Sequence, residues 1–284
     1  MNNNKPIIVS GLGGSGTRVL GQILQDAGVC IGNDLNASLD NLLFSLLFKR
    51  PSRFSCSDRR DPAYVDRCIE RFEKISLTGS GRAVWADVPA IVSDMLKDRY
   101  YGPVWLFSRL WKLRRKNGLP PPDRWGWKEP HAGYFFEPLC RRYPQAKFII
   151  VMRNGLDMAY APNDQQSRYW NRFLGVPPCR TPAEKFNYWY LYNQYMKTSL
   201  MQAGADFHML RLEDLFLEPE STLESLMSAL GLVLEPQMID LPRVPTTFCR
   251  FRDHDQEWVA EDTYRKLSEC GYARSELEEW AARR

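Results

Sequence analysis

Gly11, Gly13, Gly14 and Gly16 put four glycines into six residues, directly after the apolar run Pro6-Ile7-Ile8-Val9-Ser10. Glycines let backbone N–H groups close around an oxyanion. A helix beginning at Thr17-Arg18 would add unpaired donors and partial positive charge at its N-terminus. The expected chemistry is capture of a phosphate-like anion by Gly13, Gly14, Ser15, Gly16, Thr17 and Arg18. The usual nucleoside-triphosphate pattern, G-x-x-x-x-G-K-[ST], is broken here. Thr17 and Arg18 stand where the Lys that reaches terminal phosphates and the hydroxyl that holds Mg²⁺ belong. A tight strand–helix turn with glycines for packing alone is the plainer alternative.

A second cation lies far along the chain. Arg153 follows Phe148-Ile149-Ile150-Val151-Met152 and precedes Asn154-Gly155-Leu156-Asp157. An arginine at a strand end can fork two N–H donors onto a phosphate; a surface ion pair with Asp157 is the alternative. Lys128, Glu129 and His131 cluster after Trp125-Gly126-Trp127. Burial can raise a carboxylate toward neutral pH and histidine starts near it, so Glu129 and His131 can be considered as proton acceptors.

These residues need a scaffold that gathers them. Four apolar runs, at 6–10, 125–127, 146–152 and 206–210, each end abruptly in polar residues. Helical patterns at 18–24, 155–166, 182–203 and 218–230 separate them, the last opening with Pro219 and closing near Gly231. Alternation of this kind predicts an α/β fold, a parallel β-sheet flanked by helices. In such sheets ligands sit beyond the carboxyl ends of the strands, where the polar clusters would converge. Residues 49–122, rich in charge, Pro, Gly and aromatics, read as a helical insertion or cap on one domain spanning 1–284. Trp85, Trp105, Trp111, Trp125 and Trp127 are expected mainly in the core. The basic run Lys112, Arg114, Arg115 and Lys116 reads as complementing a helix C-terminus.

Composition narrows the function classes. A chain of 284 residues can bury a large core without disulfides. Its net charge of +4 suits anionic ligands and gives no reason to expect nucleic acid. Seven scattered cysteines with no C-x-x-C pair predict free thiols and a cytoplasmic setting. Three histidines without ligand spacing give no reason to expect a metal. The first strand begins almost at once, which argues against a signal peptide, and the apolar stretch 42–48 is too short to span a bilayer.

Four segments together resemble the sulfotransferases that use 3′-phosphoadenosine 5′-phosphosulfate (PAPS). Gly14-Ser15-Gly16-Thr17 is similar to the family's [KR]-[ST]-G-[ST] loop. The stretch 151–161, containing Arg153, Gly155 and Asp157, is similar to its 3′-phosphate segment. Lys128-Glu129-Pro130 with Tyr134-Phe135 resembles K-x-P-x-Y-F, and Leu212-Glu213-Asp214-Leu215 with Pro219 resembles Y-E-D-L-x-x-x-P. The resemblance implies a P-loop NTPase-like sheet and metal-independent, in-line sulfuryl transfer to a hydroxyl or amine. Adenosine 3′,5′-bisphosphate would be the product. It places the 5′-phosphosulfate in residues 13–17, the 3′-phosphate on Arg153, and Lys128 beside the transferring group.

Two positions depart from the family pattern. Gly14 replaces the loop cation and Ala161 a serine eight residues after Arg153. Lys128 or Arg18 could offset the first, and Asn163 or a tail arginine the second. The family also suggests Asp34 as proton acceptor, beside Glu129 and His131, and brings Arg250 or Arg252 to the 3′-phosphate from a late loop. Glu213 and Asp214 read as helix-capping or arginine-orienting. A nucleotide or small-molecule kinase and a non-catalytic nucleotide binder on the same scaffold are the alternatives. The acceptor, whether glycan, lipid, phenol, metabolite or protein tyrosine, is not legible.

Overall fold

The computed structural model describes residues 5–56, 60–79, 81–98, 101–115, 122–239 and 244–283. Strand β1 (Ile7–Gly11) runs into the glycine loop and α1 (Thr17–Asp26). Then come α2 (Leu42–Phe48), α3 (Pro51–Phe54), α4 (Pro62–Thr78), α5 (Val88–Asp98) and α6 (Pro103–Arg115). Strand β2 (Gly126–Lys128) leads through a 3-10 turn at Pro130–Phe135 to α7 (Phe136–Arg142) and β3 (Lys147–Met152). After β3 come α8 (Gly155–Ala159), α9 (Gln165–Tyr169), α10 (Pro182–Gln202) and β4 (Asp206–Arg211). The chain ends in α11 (Asp214–Leu217), α12 (Pro219–Leu230), α13 (Pro236–Ile239), α14 (Glu261–Glu269) and α15 (Arg274–Arg283).

The four strands form one sheet in the order β2-β1-β3-β4, all parallel. This is the α/β architecture expected from the alternating pattern. Ile7, Val9, Ile149, Val151 and Leu210 pack on one face against Leu20, Ile23, Leu24, Leu223 and Leu226. Ile8, Phe148, Ile150 and Met152 belong to the core on the other face with Phe136, Tyr188, Trp189 and Tyr192. Burial on both faces explains why the central strands β1 and β3 read as apolar runs.

From β1 the chain steps to β2 on one side, then returns across β1 to β3 on the other. Gly11 pairs with Val151, so the glycine loop and Arg153 leave the same edge on neighbouring strands. A crevice at such a reversal is where this architecture binds ligands.

Two expectations are corrected. The helix expected over 155–166 is two short helices, α8 and α9, separated at 160–164. Pro162 lacks an N–H and disfavours helical backbone at Ala161, so the chain breaks there. Trp125 and Trp127 are buried, but Trp85 and Trp111 are 44% and 43% exposed. Among the described side chains of α6 the buried ones are Leu106 and Leu113, and Trp111 falls on another face.

Candidate functional site

The glycine loop leaves donors open. Gly14 and Gly16 have φ of 101° and 88°, which L-residues rarely adopt, so the glycines set the loop's path. Gly16 precedes α1 with no side-chain cap. Among the described residues, nothing accepts from the N–H groups of Gly14, Gly16, Thr17 and Arg18. Ser15 Oγ is buried and has no hydrogen-bond partner among the described residues. Several aligned N–H groups and a buried orphan hydroxyl suit an oxyanion. Arg18 is exposed beside them. A lysine at position 14 would have to adopt a φ near 101°, a conformation that strains residues with a Cβ.

Gln166 was not legible in the sequence as part of this loop. Its Oε1 accepts from Gly13 N–H, and its Nε2 donates to Pro130 O at 3.3 Å. It therefore ties the glycine loop to the turn after β2. The break at Pro162 starts α9 where Gln166 reaches back. Asn163 lies alongside: a methyl on Gly13 would sit 2.8 Å from Asn163 Nδ2 and 3.1 Å from Gln166 Oε1.

Arg153 is buried at the end of β3. Its Nη2 donates to Asp157 Oδ2 at 2.8 Å and to Thr247 O. Asp157 also accepts from the N–H groups of Cys249 at 3.0 Å and Phe251 at 3.2 Å, which fastens the late loop over the crevice. Arg250 Nε lies 3.4 Å from the same Thr247 O, so the fold brings Arg250 toward Arg153. Arg252 instead donates to Ala281 O in α15. Nε and Nη1 of Arg153 make no hydrogen bond among the described residues. Ala161 is buried and supplies no hydroxyl.

Lys128 ends β2 in register with Val9, only 2% exposed. Its Nζ donates to Ser38 O at 2.8 Å and to Asp40 Oδ1. Asn36 shapes this clamp, accepting from the N–H groups of Ser38 and Asp40 and donating to Asp40 Oδ2 at 2.8 Å. Asp34, in the same loop, accepts from Arg109 at 2.6 Å and Lys112 at 2.8 Å. Its carboxylate is committed to two cations of α6.

Glu129 and His131 form a buried pair, with His131 Nδ1 3.0 Å from Glu129 Oε1. Ser45 Oγ donates to Glu129 Oε2 at 2.8 Å, and Lys49 Nζ lies 3.7 Å from Oε1. Burial opposes ionisation of Glu129, but Lys49, His131 and Lys128 outweigh it and hold the carboxyl well below its usual range. Burial and then Lys49 push the His131 imidazole down to about 4, against the pull of Glu129. His131 is therefore neutral at neutral pH.

Glu213 buttresses the crevice from β4. It accepts from Asn154 N–H and from Tyr272 Oη, each at 2.9 Å, fixing the turn that carries Arg153. Asp214 pairs with Arg211 at 2.5 Å instead. Burial raises the Glu213 carboxyl to about 7, outweighing the donors around it. The folded state thus holds this proton more tightly than the unfolded chain. The associated stability is fully present below 4.5 and lost as pH rises through about 7. His131 acts oppositely, its contribution being lost as pH falls from 6.5 through about 4. Glu213→Gln keeps an acceptor for Asn154 and offers a donor to Tyr272. Urea unfolding should show the variant more stable than wild type by about 3 kcal/mol above pH 7, with the gap closing in acid.

A family profile described as "Sulfotransferase family" matches residues 6–236. Among solved structures, the chain is similar to the sulfotransferase domain from the curacin biosynthetic pathway, at 14% identity and TM-score 0.49, covering 94% of this chain and 98% of that one. The sulfotransferase domain from the Synechococcus PCC 7002 olefin synthase is 14% identical with TM-score 0.48, covering 94% of each chain. For sulfotransferase STF9 from Mycobacterium avium the values are 13% and 0.40, covering 98% of this chain and 75% of that one. No curated protein sequence matches the chain.

Proposed function

This chain belongs to the sulfotransferase family, and we propose that it moves a sulfuryl group from PAPS to the hydroxyl or amine of an acceptor, leaving adenosine 3′,5′-bisphosphate. One observation carries this reading. The open N–H groups of the glycine loop and the buried Ser15 hydroxyl stand on the strand next to Arg153, at one sheet edge. Two anion-binding features side by side suit a nucleotide with phosphate at both its 5′ and 3′ positions. When bound, the donor supplies a sulfuryl group activated by its bond to phosphate.

The chain's residues then divide the work. Gly13, Gly14, Ser15, Gly16 and Thr17 hold the 5′ end, with Arg18 offsetting the missing loop cation. Arg153, with Arg250 as its neighbour, holds the 3′-phosphate, while Asn163 stands beside Gly13 at the 5′ end. Lys128 stabilises charge on the bridging oxygen. Sulfuryl transfer depends mainly on alignment and charge neutralisation, which fixed donors and cations provide. Among the proton-acceptor candidates we assign His131, because its imidazole is neutral and Glu129 orients it. Asp34, engaged by Arg109 and Lys112, orders the loop that holds Lys128. We read the chain as one domain with residues 49–122 as a cap. Its seven free cysteines support a cytoplasmic setting, and among the described residues no helix is long and apolar enough to cross a membrane.

Calorimetric titration tests the reading. Adenosine 3′,5′-bisphosphate should bind without Mg²⁺ and more tightly than ATP with Mg²⁺; the reverse order would favour a kinase. The clamp on Lys128 also fits a silent nucleotide binder. Labelled sulfate transfer across hydroxyl and amine acceptors separates the two, since a silent binder would titrate normally and transfer nothing.

A further inference from the structure

A buried lysine faces the Glu129–His131 pair from α2. That helix is buried along its whole length, and its one polar residue, Ser45, lies four positions before Lys49, which closes it. This spacing sets both side chains on one side of the helix, and both meet Glu129. Ser45 Oγ donates to Glu129 Oε2 at 2.8 Å, while the Lys49 ammonium stands 3.7 Å from Oε1. Oε1 also accepts from the backbone N–H of His131 at 3.3 Å and lies 3.0 Å from its Nδ1. Lys49, Glu129 and His131 are all buried. In so low a dielectric, one fixed charge strongly biases where a proton can sit.

An ionised carboxylate can only accept, so the hydrogen between Glu129 and His131 belongs to Nδ1, and Nε2 keeps its lone pair. One added proton would undo this. Held by Glu129, it would be donated to Nδ1, and the ring would carry its own hydrogen on Nε2; held by His131, it would sit on Nε2 directly. We propose that Lys49 is a positioning residue that keeps His131 Nε2 unprotonated, its ammonium opposing the entry of a further proton into the Glu129–His131 pair. A second cation, Lys128, faces the pair from β2, but its ammonium is bonded to Asp40 and Ser38 O, which offsets its field. The Tyr101 ring centre is 5.9 Å from the Lys49 ammonium, Tyr134 and Trp170 border the imidazole, and Tyr192 donates to Pro130 O. Burial raises the Tyr101 and Tyr192 hydroxyls, so both stay neutral while the imidazole titrates. The low titration of His131, at about 4, is in keeping with this role. The proton position itself does not depend on the sulfotransferase reading; its use in transfer rests on His131 taking the acceptor's proton.

Nitrogen NMR of the full chain tests the proposal, with three histidines to resolve and His131→Asn to assign the signal. At neutral pH the wild-type ring should be the Nδ1–H form, and Nε2 should take a proton only near pH 4. Lys49→Met should raise the midpoint for Nε2 protonation by at least about one pH unit, and Lys49→Arg, which restores the charge, should return most of that shift. Because Lys49→Met leaves Glu129 buried without its cation, Glu129→Gln with and without Lys49→Met provides a second comparison in which the double variant buries neither charge. There too the midpoint should rise when Lys49 is replaced. An Nε2–H ring in wild type at neutral pH overturns the proposal, as does a midpoint that replacing Lys49 leaves in place. In labelled sulfate transfer the acidic limb of kcat/KM should move up with the NMR midpoint. A limb that stays in place while the midpoint moves upholds the effect of Lys49 and removes His131 as the proton acceptor.

Discussion

Lys128→Ala is expected to lower kcat about 10²- to 10³-fold while leaving the affinity for adenosine 3′,5′-bisphosphate within about threefold. The ammonium sits at the carboxyl end of β2, almost without solvent, between Ser38 O and Asp40. A cation held this way costs little reorganisation when charge develops nearby, and low local dielectric strengthens its field. The product nucleotide no longer carries the transferring group, so it should register the loss weakly. Removing the lysine leaves Asp40 without its cation, which could disturb the loop. Asp40→Asn tests that effect by itself, because Asn36 and the backbone bonds that shape the turn remain. If Lys128→Ala weakens nucleotide binding as much as turnover, Lys128 is a binding residue and the reaction is stabilised elsewhere.

The parts of this arrangement that could be read from the chain are those set by local rules. A buried parallel strand needs an apolar run and a polar exit, which the central strands β1 and β3 show, whereas the edge strand β4 is only partly buried and carries His208. A glycine loop announces itself because its φ values exclude other residues. Which side chains meet across the crevice is set by long-range packing, and there the chain was less informative. Gln166 is an ordinary helical glutamine until Pro162 breaks the helix before it. Asp40 gains its importance only when its loop folds over the end of β2. Lys49, 80 residues before Glu129 in the sequence, is buried against it, a pairing that no spacing encodes. Trp111 illustrates the converse: its residue type favours burial, and the face it occupies decides otherwise.

Arg153→Ala should weaken adenosine 3′,5′-bisphosphate binding at least about tenfold and by as much as about 10³-fold, the range for truncating one member of a buried, hydrogen-bonded charge pair. The difficulty lies in Asp157, which is buried and bonded to both Arg153 and the loop at Cys249 and Phe251. Taking the arginine away leaves that carboxylate uncompensated and should itself reduce stability by about 3–5 kcal/mol. A drop in affinity could then reflect a displaced loop. Arg153→Ala combined with Asp157→Asn removes both charges and separates the causes. If Arg153 contacts the 3′-phosphate, the double variant regains much of its stability and still binds poorly, while losing its preference for the 3′,5′-bisphosphate over adenosine 5′-phosphate. If affinity returns along with stability, Arg153 works only through the shape of the 247–251 loop. The 3′-phosphate would then have to be held by Arg250, whose own alanine variant would show the loss instead.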